Sequence, residues 1–405
     1  MRISKIETLM LKEHPRNVWV RIHTDEGVVG LGETNAKPAP VSSMIHDVCA
    51  ELLIGKDPRN IDQIWSSMYQ IFNHHGYSGT EMRALSAIDI ALWDILGKVS
   101  GQPIYRLLGG ASRDRIKVYN TCVGYMGNND RDRFLGEPEK LAEELLGKGI
   151  SVMKIWPFDE LSRDYQGQYI SPEHLKKGLE PFRKIRQAFG EEMEFALEGH
   201  GRWNLTSAIR IAQALQEYNP LWVEELLPPD NVEAMIQLKN ATITPIAASE
   251  RIFTRFGYRS FLEKGATDVV IADPAWTGGI SETKKIATLA ETYQLPFAPH
   301  NCGGPVLHVA AAHLCYNIPN LWMMETVRAF YETYFDHIIT NAPQVKDGYT
   351  QPPEGPGLGV ELRPEVFERQ DLISRVTEEV ATGGEKQVYT TSSVGDPWKT
   401  GASKI

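Results

Sequence analysis

Three glutamates, Glu198, Glu224 and Glu250, stand at equal intervals of 26 residues, and each closes a short apolar run: EMEFALE, PLWVEE and TPIAASE. Between them lie stretches with helical apolar spacing, SAIRIAQALQEY and NVEAMIQLK. An interval of this size holds one strand, one helix and two turns, the repeat of a (β/α)8 barrel. The C-terminal ends of consecutive parallel strands converge, so the three carboxylates are expected to meet at one point. Their mutual repulsion is relieved by a divalent cation with oxygen ligands, which predicts a metal site on Glu198, Glu224 and Glu250.

The pattern extends in both directions. Short apolar runs at 118–123, 151–156, 193–198, 221–225, 245–249, 268–273, 296–300 and 321–326 supply the eight strands a barrel needs. Wider spacings after the first two leave room for irregular insertions, GNNDRDRFLGEP and FDELSRDYQGQYIS. Residues 1–35 read as a three-stranded meander, followed by helices near 41–54, 60–72 and 82–99. These boundaries give an α+β capping domain over 1–115, a TIM-like barrel over 116–345, and a segment over 346–405 that returns to the capping domain. That last segment reads as Pro/Gly-rich, then helical and polar, ending over 390–405 in a poorly packed tail or a partner-contacting arm.

At 405 residues and 42% apolar content the chain is long enough for a barrel plus a second domain. Its net charge of −10 and the lack of a basic run argue against nucleic acid. No apolar run approaches the length of a membrane span, and the N-terminus reads as an alternating strand instead of a signal peptide. The four cysteines show no CxxC spacing, as expected of reduced thiols in a cytoplasmic protein.

Other strand ends carry further chemistry. Asp273 ends the sixth run and His300 the seventh, so the carboxylate can fix the imidazole tautomer and raise its basicity. His200, two residues beyond Glu198, is the natural second base. Glu325 ends the eighth run and is a candidate hydrogen-bond donor, if protonated, to a developing oxyanion. Lys154 and Trp156 share a face of the second strand, and a buried Lys154 needs an anionic partner, either a ligand or a glutamate. Glu225 should point away from Glu224 and pair with Arg251 or Lys154. The Cys302-Gly303-Gly304-Pro305 turn would offer amides at a helix N-terminus to an anionic substrate. Substrate contacts are expected at Lys154, Trp156, Asn35, His75, Tyr77 and Trp276, with Arg328 as a further pocket-shaping candidate.

On AIDIALWDILGK with QPIYRLLGG, WVEE, SERIFTRF, IADPAWTGGI, APHNCGGP and PGLGVEL, the chain resembles the enolase superfamily, in its mandelate racemase-like branch. The resemblance covers about residues 1–370. It implies one Mg²⁺ on the three glutamates, an Asp273–His300 pair, Glu325 beside a substrate carboxylate, and a homo-oligomer. It also implies abstraction of the proton α to a carboxylate, with the metal stabilising the enediolate, chemistry the superfamily is known for. Three positions depart from the branch's pattern. Glu198 stands where aspartate is commoner, Trp156 stands where the racemases carry a second lysine, and Leu226 replaces a proline. Glu198-Gly199-His200 is instead similar to galactonate and mannonate dehydratases, which points to dehydration of a sugar acid, with racemase, epimerase or cycloisomerase as rivals. A small-molecule carboxylate is the expected partner.

Overall fold

The structure, a computed structural model, describes residues 1–74, 76–382 and 385–393. Strands Ile3–Leu11, Asn17–Thr24 and Val29–Asn35 form the expected meander. Helix Thr80–Ser100 lies directly on it. Gly30 and Gly32 permit that approach, because a methyl at either would collide with the Ala91 or Ala87 carbonyl. The helix ends on Gly101 in the left-handed conformation, its amide bonded back to Gly97 and Lys98.

The C-terminal segment returns to this sheet as strands, which corrects the helical expectation. Leu372–Thr382 runs antiparallel to Ile3–Leu11, and Glu385–Ser392 pairs outside it, giving a five-stranded antiparallel sheet. Three β-branched residues in the seven of SRVTEEV, Val376, Thr377 and Val380, favour an extended chain over a helix. Of residues 390–405, read from sequence as a tail, 390–392 belong to the outer strand, and 394–405 lie outside the described residues.

The barrel strands run parallel in the order Ile116–Thr121, Val152–Ile155, Glu194–Glu198, Val223–Glu224, Ile246–Ala248 and Val269–Val270, with Met324–Thr326 beside the first. The seventh position is reduced to Phe297, which bridges Val270 on one side and Leu321 on the other. Side-chain caps start several outer helices: Ser171, Asn204 and Asn231 accept the amides of His174, Ser207 and Ala234 at 3.1, 2.9 and 2.9 Å.

The barrel interior is layered. Tyr119, Val152, Ala196, Trp222, Ala247, Ile271, Ala298 and Met323 fill an apolar plug. Strand side chains repeat every second residue, so the next inward position after most of these is polar: Thr121, Lys154, Glu198, Glu224, Asp273, His300 and Glu325. The chemistry therefore sits on a packed floor at the C-terminal rim.

Candidate active site

One oxygen from each of Glu198, Glu224 and Glu250 lies within 4.8 Å of the others, and all three residues are buried. Lys154 reaches into the cluster from the second strand, with Nζ 2.8 Å from Glu224, 2.9 Å from Glu325 and 3.3 Å from Glu198. Of the two partners expected for Lys154, the structure supplies the glutamates. Burial alone would strip its proton, but the surrounding acids win and hold its pKa well above the ordinary lysine value. Burial likewise pushes Glu224 up to about 8, against the pull of Lys154.

Three carboxylates share the one ammonium, Glu250 joins the cluster without it, and Glu250 Oε2 has no hydrogen-bond partner among the described residues. Hard oxygen donors, burial and uncompensated charge together fit a divalent cation. Glu225 pairs with Arg251, one of the two partners expected for it, with Nη1 3.0 Å from Oε2. Its left-handed backbone (φ 44°) breaks the strand alternation expected to turn it away from Glu224. Burial, and then the nearby charges of Glu250 and Glu198, raise its pKa.

Two imidazoles flank the acids. His300 Nδ1 lies 2.6 Å from Asp273 Oδ2, and its Nε2 is 3.8 Å from Glu325 Oε2. Burial would lower its pKa, but Glu325 and Asp273 prevail and raise it to about 9. His200 adopts a left-handed backbone (φ 48°), which folds its amide onto Glu198 Oε1 at 2.8 Å. Its Nδ1 is 2.8 Å from Asp159 Oδ2. Asp159 belongs to the insertion after the second strand, where no periodicity marks it, and sequence reasoning missed it.

Glu325 differs from expectation. It accepts from Lys154, from the Thr121 hydroxyl and from the Asn301 amide at 2.7 Å. Burial favours its neutral form, yet Lys154, His300 and these donors outweigh it and hold the pKa near 2. It is an ionised acceptor, not a donor.

The anion site expected at the 302–305 turn is filled from within. Glu33 of the capping sheet accepts the Gly304 and Val306 amides at 2.6 and 2.9 Å, so these donors are not open to substrate. Arg328 also lies elsewhere, buried against Asp130 and Glu144. Long side chains near a strand end do not reveal from sequence which way they turn.

Trp276 is tilted against His300, with ring centroids 5.0 Å apart, and Arg83 places its guanidinium 3.8 Å from the Trp276 ring. Asn35 is a tether, not an open contact: Oδ1 accepts from Trp276 Nε1 at 2.7 Å and Nδ2 donates to the Cys302 carbonyl at 3.1 Å. Trp156 packs edge-on against His200 at 5.7 Å. Tyr77 is half exposed and leans on Tyr69 at 6.3 Å, away from the acids' immediate contacts. His75 lies outside the described residues. A cavity of about 550 Å³ opens behind Trp156 and Asp159, on the outer side of the barrel wall. It touches the site only through those two residues.

A metal-suited acid triad at the rim of a capped barrel, flanked by two imidazoles, defines an enolase-type centre. Residues 137–366 match the enolase C-terminal domain-like family, and residues 8–109 match the mandelate racemase / muconate lactonizing enzyme N-terminal domain. The chain belongs to the enolase superfamily, in its mandelate racemase and muconate lactonizing branch. It is 34% identical to a D-galactonate dehydratase of Ralstonia nicotianae over 89% of this chain and 92% of that protein. It is also 34% identical to a D-galactonate dehydratase of Pectobacterium atrosepticum, over 91% and 94%. Among solved structures, a mandelate racemase subgroup enolase from Agrobacterium tumefaciens superposes with a TM-score of 0.86 at 41% identity, covering 93% of this chain and 99% of that one. No helix among the described residues is long and apolar enough to cross a membrane.

Proposed function

We propose that the chain is a Mg²⁺-dependent dehydratase of a sugar acid, an aldonate or aldarate, yielding a 2-keto-3-deoxy acid. The observation that carries this reading is the pair of aspartate-linked imidazoles on opposite sides of one acid triad. Glu198, Glu224 and Glu250 would hold the cation, which when bound supplies positive charge to a substrate carboxylate whose α-carbon is losing its proton.

The chain's own groups divide the remaining work. His200 Nε2 takes the α-proton as general base. His300, protonated at neutral pH because its pKa is raised to about 9, gives its proton to the departing β-hydroxyl, which leaves as water. The enol that remains tautomerises to the keto acid. Lys154 and the Thr121 hydroxyl hold Glu325 ionised beneath His300, which favours the imidazolium before transfer. Trp276 packs on the His300 ring and is tethered by Asn35 of the capping sheet, which covers that side of the imidazole. The relatives named D-galactonate dehydratase support the same reaction class.

The test is a screen of mono- and diacid sugars with Mg²⁺, trapping 2-keto-3-deoxy product as its semicarbazone. Product that disappears on chelation and in His300→Asn supports the proposal. Deuterium entering the α-carbon of recovered substrate, with no keto acid formed, would replace it with racemisation or epimerisation.

A further inference from the structure

Beside His300, whose aspartate is supplied by the neighbouring barrel strand, His200 has a partner from an unexpected place. Asp159 sits in the insertion after the second strand, where it opens the 3-10 turn Glu160–Tyr165. Its own backbone is fixed: its amide bonds to the Trp156 carbonyl at 3.3 Å, and its carbonyl accepts the Ser162 amide at 3.3 Å and hydroxyl at 2.7 Å. The residue is only 8% exposed. Arg202 Nε lies 3.1 Å from the same Oδ2 that faces His200, so the carboxylate is clamped from two sides. The Trp156 ring stands at 78° to the imidazole and limits its rotation.

We infer that Asp159 is the positioning residue of His200, fixing both its ring orientation and its tautomer. The inference rests on the sugar-acid dehydratase reading for its catalytic consequence. A carboxylate can only accept, so the hydrogen of a neutral His200 must reside on Nδ1. Nε2 is then left with its lone pair, the one arrangement in which that nitrogen can receive a proton from substrate. An amide in place of the carboxylate reverses this. It can donate to Nδ1, moving the imidazole hydrogen to Nε2 and closing the nitrogen that has to accept. The same reversal lowers turnover by roughly 10⁴-fold in the serine-protease triad, which sets the scale here.

Asp159 and Trp156 form the wall between His200 and the 550 Å³ outer cavity. Among the described residues Asp159 is the hydrogen-bond partner of His200 Nδ1, so the ring depends on this aspartate for its alignment.

The experiment uses full-length Mg²⁺-loaded enzyme and three variants, Asp159→Asn, Asp159→Glu and His200→Asn, with the Asp159→Asn/His200→Asn double variant. Asp159→Asn is expected to lower kcat by about 10²–10⁴-fold with KM changed less than about threefold, and Asp159→Glu to recover part of the loss. In the His200→Asn background the Asp159→Asn change should cost less than about threefold, because the group it positions is gone. Imidazole ¹⁵N spectra, assigned by the signal lost in His200→Asn, should show Nδ1–H in the parent and Nε2–H in Asp159→Asn. An unchanged tautomer, or an equal loss of kcat with and without His200, overturns the inference. A parent enzyme that dehydrates no sugar acid would instead sink the functional reading, while the ¹⁵N comparison still decides whether Asp159 sets the tautomer.

Discussion

His200 and His300 approach the acid triad from the third and seventh strand positions of the barrel, half-way round the ring from each other. Each has its Nδ1 tied to an aspartate, at 2.8 and 2.6 Å, which leaves both Nε2 atoms for substrate. A substrate held between them presents one face to each imidazole. That geometry suits removal of a proton and departure of a hydroxyl on opposite faces.

Assigning the roles gives a divided outcome for His300→Asn. Loss of a general acid costs about 10²–10⁴ in turnover, so dehydration should fall by that order. Exchange of the α-hydrogen in D₂O should survive, because the proposed base, His200, is left in place. Both rates come from one NMR time course of substrate in D₂O. Retention of dehydration, or loss of both rates together, would contradict the division of labour.

If the acid triad holds a cation as proposed, Lys154 and that cation compensate the same acids, and their effects on stability should interact. Lys154→Met leaves Glu198, Glu224 and Glu325 buried without their shared ammonium. Breaking a buried pair in this way costs about 3–5 kcal/mol. The chelated variant should therefore melt well below the chelated parent. Added Mg²⁺ should raise both melting temperatures by mass action, with the larger rise in the variant. Equal rises would mean that the lysine and the metal do not share these acids.

Much of this centre is legible in the sequence because strands impose a period of two and the barrel imposes a period near 26. Glu198, Glu224, Glu250, Asp273 and His300 all follow from those two rhythms. Asp159 and Arg83 do not, since one lies in an insertion and the other on a helix of the capping domain, and neither position is tied to the barrel's repeat. Glu325 was placed but not its charge state, which depends on Lys154 and Thr121 arriving from two other strands. The strands at 372–382 and 385–392 are hard to see in the sequence because LISRVTEEVAT and EKQVYTTS are mostly polar and show no sustained apolar alternation.

Glu33 joins the capping domain to the barrel, and a single oxygen decides how well. Its carboxylate serves four donors: Asn17 Nδ2 and Trp19 Nε1 at 3.1 and 3.0 Å, and the Gly304 and Val306 amides. It also sits at the N-terminus of helix Pro305–Asn317, where a negative charge is favoured. Glu33→Gln keeps the shape but offers one acceptor oxygen, so a buried donor is left unmet at a cost of about 1–3 kcal/mol. Gly304→Ala should be harmful for a different reason, as its methyl would run into Glu33 and Asn17. Urea midpoints for the two variants, each lower than the parent's, are the expected result. A parent-like midpoint for Glu33→Gln would show that the seam is held elsewhere.

His313 gives a pH dependence whose sign can be worked out. It is fully buried in helix Pro305–Asn317, with Nε2 3.1 Å from the Leu358 carbonyl, and burial lowers its pKa to about 4. The unfolded value is about 6.5. Between pH 6.5 and 4 the unfolded chain therefore binds a proton that the folded chain refuses, and stability falls as pH falls through that window. The full loss approaches about 3 kcal/mol at the acid end. Glu33 and Asp89, which burial pushes up to about 7, and Asp94, pushed to about 6, work in the opposite direction. The contribution must therefore be read as a difference between two proteins. His313→Gln can still donate to Leu358 but has nothing to titrate. Urea unfolding of parent and variant at pH 7.5 and pH 4 should show the difference moving in the variant's favour by about that 3 kcal/mol. A difference that stays constant with pH would mean that His313 becomes protonated as readily in the fold as outside it.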